Sequence, residues 1–160
     1  DSDVSVEIER KFLVSGKAWP QGKGSLYLQG YLNLDKERTV RVRLTETQAF
    51  ICVKGISIGA SRNEFEYEIP VSDAEQLLKL CTGSLIQKVR YAVFHKGLKW
   101  EVDEFLGDNA GLVIAEVELE SEDQVFDKPS WLGREVTADP RYFNSGLAAA
   151  PFNQWNENID

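Results

Sequence analysis

The chain has 160 residues, with 18 Lys+Arg against 26 Asp+Glu and a formal net charge of −8. That length predicts a single domain over residues 1–160, large enough to bury a core without disulfides. No apolar run reaches the ~18 residues of a membrane span. The start, DSDVSVEIER, has neither the basic flank nor the apolar stretch of a signal peptide. The acidic balance argues against nucleic acid or a membrane as partner.

Alternating apolar and polar residues predict eight strands, near 4–14, 26–34, 38–45, 49–55, 63–70, 85–95, 98–106 and 112–120. Short connections such as Leu34-Asp35-Lys36-Glu37 and His95-Lys96-Gly97 suit antiparallel neighbours. A helix is expected over Ala74–Leu80, with Ser72 as N-cap, Glu75 closing a capping box and Gly83 as the stop. A second is expected from Arg141 to Ala149, opened by Asp139-Pro140 and ended by Pro151. A short helical turn is expected near 121–126. The fold class is therefore mainly β (α+β): an eight-stranded antiparallel closed barrel with a few packing helices. Cys52 and Cys81 have no metal or redox spacing and read as reduced thiols, which suits a cytoplasmic protein.

Residues i and i+2 of a strand share a face. Glu7, Glu9 and Lys11 therefore align, as do Arg41 with Arg43, and Glu64 with Glu66 and Glu68. So do Lys88 with Arg90, Glu101 with Asp103, and Glu116 with Glu118 and Glu120. Lys54 ends a strand beside Val53. A single charged face is ordinarily solvated. Here the signs are segregated, some strands offering only carboxylates and others only bases. Charged faces turned into the barrel explain that segregation. Charges in such an interior are costly unless paired, hydrated or liganded. Bases on one side and carboxylates on the other imply a polyanion held together with a divalent cation. Arg and Lys suit phosphate oxygens. Clustered carboxylates suit Mg²⁺ or Mn²⁺.

Glu7-Ile8-Glu9-Arg10-Lys11 resembles the ExExK signature of the CYTH superfamily, the triphosphate tunnel metalloenzymes. The resemblance continues in order through Arg41-Val42-Arg43, Lys54-Gly55, Glu64-Phe65-Glu66-Tyr67-Glu68 and Lys88-x-Arg90. It runs on through Trp100-Glu101-Val102-Asp103, Ala115 to Leu119, Trp131 to Thr137 and Arg141-Tyr142, so it covers essentially the whole chain. It implies a tunnel that hydrolyses triphosphate with Mg²⁺ or Mn²⁺, as the compact bacterial inorganic triphosphatases do. By motif it gives Lys11, Arg41, Arg43, Lys54, Lys88 and Arg90 as phosphate-binding bases. Glu7, Glu9, Glu116 and Glu118 are the implied metal ligands, with Asp103 beside them. Glu64, Glu66 and Glu101 would tune the bases or reach metal through water, and Glu68 and Glu120 would be solvated.

A second metal, or Lys88 or Glu118 as base, would activate the attacking water, and Lys88 could instead bind phosphate only. Tyr31 would plug one mouth or act as an ordinary strand aromatic. His95 reads as a solvated turn residue. The four tryptophans would pack between barrel and helices. The expected partner is a small polyphosphate, and the protein a monomer or homodimer. Three other readings stand beside this one. They are a nucleoside or thiamine triphosphate hydrolase or adenylate cyclase of the same superfamily, a non-catalytic polyphosphate sensor, and a plain barrel with solvated charges.

Overall fold

A computed structural model describes residues 6–16, 18–56 and 58–155. The strands are β1 (Val6–Val14), β2 (Ser25–Asn33), β3 (Arg38–Leu44), β4 (Ala49–Gly55) and β5 (Ser61–Ile69), followed by helix α1 (Val71–Leu78). Then come β6 (Thr82–His95), β7 (Leu98–Leu106), β8 (Val113–Glu118), the short β9 (Leu132–Glu135) and helix α2 (Asn144–Ala149). The pairing order is β5-β4-β3-β2-β6-β7-β8-β1, and β1 pairs back onto β5, so eight antiparallel strands close into a ring. β9 adds onto β1 through a bulge.

Register decides which face is interior. Arg41 stands opposite Tyr31 and Cys52, Lys54 opposite Glu64, and Arg90 opposite Asp103. Glu101 and Lys11 both stand opposite Glu116, and Glu9 opposite Glu118. Directly opposed residues share a face. These opposed charges therefore belong to one surface, the inside of the ring.

The outward faces bury the apolar partners. Phe12, Trp100, Val102 and Val117 form one outer cluster, covered by Phe126 and Trp131, with Trp19 packed 4.9 Å from Tyr91. Trp100 and Trp131 meet edge to face at 6.1 Å. The cover on this side is an irregular segment rather than the expected helix. On the other side α1 sets Ala74, Leu77 and Leu78 against Val42 and Leu32. Trp155, near the C-terminus, packs edge-on against Tyr142 at 5.1 Å.

One end of the ring is closed. Tyr31, Ile86, Phe105 and Ile114 have interior parity, and they cluster with Tyr142, Leu147 and Ala148 of the C-terminal segment. Gly83 (φ +75°) and Gly146 permit this closure. A Cβ on Gly83 would stand 2.6 Å from the Ala148 carbonyl oxygen, and one on Gly146 would stand 2.1 Å from that of Pro140.

Several local expectations shift. α1 begins at Val71, and Pro70, extended at φ −61° and ψ 142°, is its N-cap without a side-chain bond. The proline ends β5 and fixes φ for entry, so Ser72 falls inside the first turn. The helix stops at Leu78, before Gly83, which lies within β6. Asp139 does cap, accepting from the Arg141 N–H, yet the expected helix breaks at Phe143 (φ −68°, ψ 148°) into a 3₁₀ turn, Pro140–Tyr142, and α2. Residues 121–126 form a turn with no helix. β5 starts two residues before its expected position, which brings Arg62 onto the charged face.

Candidate active site

The ring encloses a cavity of about 420 Å³. Its acidic arc comes from three adjacent strands: Glu101 on β7, Glu116 and Glu118 on β8, and Glu9 on β1. Its basic arc comes from Arg41 and Arg43 on β3, Lys54 on β4, and Arg62 on β5; Arg90 on β6, Lys99 on β7 and Lys11 on β1 also line it. The backbone of Glu7 pairs with Arg62, and its side chain lies outside the described residues.

Most of these bases meet a carboxylate. Lys11 Nζ lies 3.4 Å from Glu116 and 3.8 Å from Glu9. Arg43 pairs with Glu66, Lys54 with Glu64 at 3.9 Å, and Arg90 with Glu101 at 3.2 Å. Arg41 differs: it is buried, and its Nε has no hydrogen-bond partner. The Nε of Arg43 is buried without one as well. Tyr27 stands between Arg43 and Arg90, whose guanidinium carbons lie 5.5 and 5.0 Å from its ring centre.

Glu118 reaches the cavity from the end of β8. Its pKa is raised, first by partial burial and then by Glu64, Glu9 and Glu101. Mutual repulsion of this kind is relieved by a cation. Among the described residues no three acidic, Cys or His side chains form a ready metal cage. Mg²⁺ seldom requires one, since it usually takes one or two carboxylates, substrate phosphates and water. The donor set therefore fits a hard divalent ion.

Lys88 and Asp103 sit behind the cavity wall, each 1% exposed at the side chain and 2.8 Å apart. Arg90 holds Asp103 in a fork at 2.8 and 2.9 Å. Burial pushes the Asp103 carboxyl up, but Arg90 and Lys88 outweigh it and hold the pKa well below the usual range. Burial lowers Lys88 to about 8 against the pull of Asp103. Asp103 thus faces two bases, apart from the Glu9–Glu116–Glu118 group. The Lys88 ammonium also donates to Asn144 Oδ1 at 3.5 Å, and Asn144 lines the cavity.

Other expectations find their places. Tyr31 both lines the cavity and packs into its closed end. His95 ends β6 beside the Lys96-Gly97 turn, where both residues have positive φ. Glu68 and Glu120 are exposed. Cys52 and Cys81 are free thiols, Cys52 buried. Arg62, Tyr27 and Asn144 were not singled out from sequence. Extending the parity of Glu64 back two residues finds Arg62, and that of Tyr31 back four finds Tyr27. Nothing local finds Asn144, which tertiary contact alone brings to Lys88.

The pattern of the CYTH domain matches residues 5–145. An inorganic triphosphatase of Acetivibrio thermocellus is 54% identical over 153 residues, covering 94% of this chain and 98% of that protein. One of Nitrosomonas europaea is 39% identical over 148 residues, covering 89% and 96%. The crystal structure of the inorganic triphosphatase NE1496 superposes with a TM-score of 0.64 at 36% identity, over 88% of this chain and 96% of that one. The PH1012 protein of Pyrococcus horikoshii, at 19% identity and a TM-score of 0.55 over 73% of this chain and 81% of that one, shares the fold. With the family pattern over most of its length and relatives this similar, the chain belongs to the CYTH domain family.

Proposed function

We propose that this protein is an inorganic triphosphatase, a hydrolase of phosphoanhydride bonds that converts tripolyphosphate and water to pyrophosphate and phosphate. The observation that carries the reading is the buried Arg41 guanidinium, aimed into the cavity with no hydrogen-bond partner at Nε. Opposite it stands a carboxylate arc whose member Glu118 is held above its ordinary pKa first by burial and then by its acidic neighbours. A phosphate chain satisfies the first feature and a divalent cation the second.

Lys11, Arg41, Arg43, Lys54 and Arg90 bind the phosphate oxygens, joined by Arg62. Lys88 adds its charge from behind the wall. Glu9, Glu116 and Glu118 would hold Mg²⁺ or Mn²⁺, with Glu7 joining them by motif. Such an ion would supply charge neutralisation at the phosphate oxygens. Asp103 keeps Arg90 and Lys88 oriented. Water attacks the terminal phosphorus, its oxygen forming the new P–O bond while the bridging P–O bond breaks and its electrons pass to pyrophosphate. Lys88, buried just behind the cavity lining, takes the proton that the water loses by way of an intervening water. Its lowered pKa leaves an appreciable neutral fraction at pH 7–8. The whole chain acts as one domain. Its two reduced thiols suit the cytoplasm, and its partner is a small polyphosphate.

The test is phosphate release from tripolyphosphate with Mg²⁺, Mn²⁺ or EDTA, beside ATP and thiamine triphosphate. Fast, metal-dependent release from tripolyphosphate is expected, lost about 100-fold or more in Glu9→Ala, a scale typical of losing one charge-stabilising group. Tight tripolyphosphate binding without release from any substrate would instead identify a polyphosphate sensor.

A further inference from the structure

Beside the charged cavity lies a second one of about 420 Å³. It opens between the β2–β3 turn, Ile56 after β4, and the segment from Ala138 to Ala149. Leu34, Ile56, Pro140 and Ala149 give it an apolar lining, so its chemistry is the opposite of its neighbour's. The two cavities share Gly59, Arg62, Phe143 and Ser145. Phe143 is the one aromatic side chain among those four. Lys11 Nζ lies 5.3 Å from its ring centre and the Arg62 guanidinium carbon 5.9 Å. The ring thus holds two phosphate-binding cations at the charged side by cation–π attraction.

Phe143 is pinned on both sides. Its N–H donates to the Pro140 carbonyl at 3.2 Å, and its own carbonyl accepts from the Leu147 N–H at 2.9 Å. Tyr142 before it, and Leu147 and Ala148 after it, are buried in the closed end. The close approach of Gly146 to the Pro140 carbonyl leaves this segment no slack. These bonds and the buried neighbours fix the backbone at Phe143, so its ring is presented at one place between the two cavities.

We propose that Phe143 is a specificity-determining residue: its ring ends the phosphate subsite and excludes triphosphates whose end phosphate carries an organic group. The proposal rests on the triphosphatase reading. Bare tripolyphosphate needs only the charged cavity. An ester must place its organic part somewhere, and the apolar cavity behind the ring is the space denied to it. Removing the ring joins the two cavities and offers that part an apolar berth.

The experiment compares wild type, Phe143→Leu, Phe143→Ala and Phe143→Ala/Ala149→Phe, with folding checked by thermal unfolding. The reading is kcat/KM for ATP relative to tripolyphosphate, with tetrapolyphosphate as a third substrate. Phe143→Ala should raise the ATP ratio by at least about tenfold, the scale on which a fitted wall discriminates. Phe143→Leu should raise it less, and the second substitution, which refills the apolar cavity, should reverse the gain. An unchanged ratio in folded Phe143→Ala overturns the proposal. Should Phe143→Ala fail to fold, an unchanged ratio in Phe143→Leu overturns it equally. A rise for tetrapolyphosphate alone also overturns it, since the wall would then measure chain length. The same four proteins are titrated with tripolyphosphate and ATP for binding. If wild type hydrolyses neither but the ATP-to-tripolyphosphate affinity ratio shifts as described, the triphosphatase reading fails and the wall stands.

Discussion

Lys88 carries its charge in the driest part of the ring wall, beside Asp103 and Arg90. Burial weakens the ammonium form, and the aspartate only partly restores it. The neutral fraction grows as pH rises toward the lowered pKa. If Lys88 accepts the proton from water, kcat rises with pH and levels off near about 8. Lys88→Ala should then lower kcat and kcat/KM together. The measurement is a pH–rate profile at saturating substrate for both proteins. Unchanged kcat with raised KM would reduce Lys88 to a phosphate-binding charge. The alternation of Lys88 with Val89 and of Asp103 with Val102 made the inward direction of both residues legible. It left open which carboxylate each base would meet. That Asp103 joins Lys88 and Arg90, away from Glu9, Glu116 and Glu118, is set by the β6–β7 register and by depth in the wall.

At the scale of elements, the eight strands were legible because period-two patterning is local. Their ends were less so. β9 is four residues long and includes a glycine, too short to show a period. The C-terminal helix was expected in one piece, and its break at Phe143 follows from packing onto the closed end. Gly146 makes that packing close. Gly146→Ala puts a methyl group 2.1 Å from a carbonyl oxygen, so backbone must move. The expected cost is roughly 1–3 kcal/mol, as for other overpacked sites. Urea unfolding should show the midpoint lowered with the slope unchanged. A neutral outcome would mean that α2 is not tied to the Pro140 turn.

For the whole molecule, the ring partly buries Glu118 and brings carboxylates from β1, β5 and β7 close to it, and both raise its pKa. A ligand that binds only the folded state stabilises it by mass action, by about 2.7 kcal/mol at a hundred times its Kd. In a chain of this size that is a shift in Tm of roughly 5–10 °C. Tripolyphosphate with Mg²⁺, under conditions that block turnover, should produce it. Glu118→Gln should stabilise the metal-free protein by about 1–2 °C near pH 7, a small gain because solvent screens the repulsion. The sign follows from linkage. A carboxyl with a raised folded pKa binds more protons when folded, so its contribution worsens as pH rises from the unfolded toward the folded pKa. Removing the charge recovers that loss above this window. Equal Tm for the two proteins without metal would show that the carboxylates of the ring do not strain it.

What this sequence determined by itself is the inside-out placement of charge. Parity at i and i+2 puts the clustered bases and carboxylates of most strands on one face, and a ring of eight such strands has an interior for that face. What only the tertiary structure decided is how that interior is divided. The pairing of Asp103 with two bases, the closed end under α2 and the position of Phe143 between two cavities depend on residues far apart in the chain. Local periodicity specifies which way a side chain points. Register, depth and the packing of a distant segment specify what it meets.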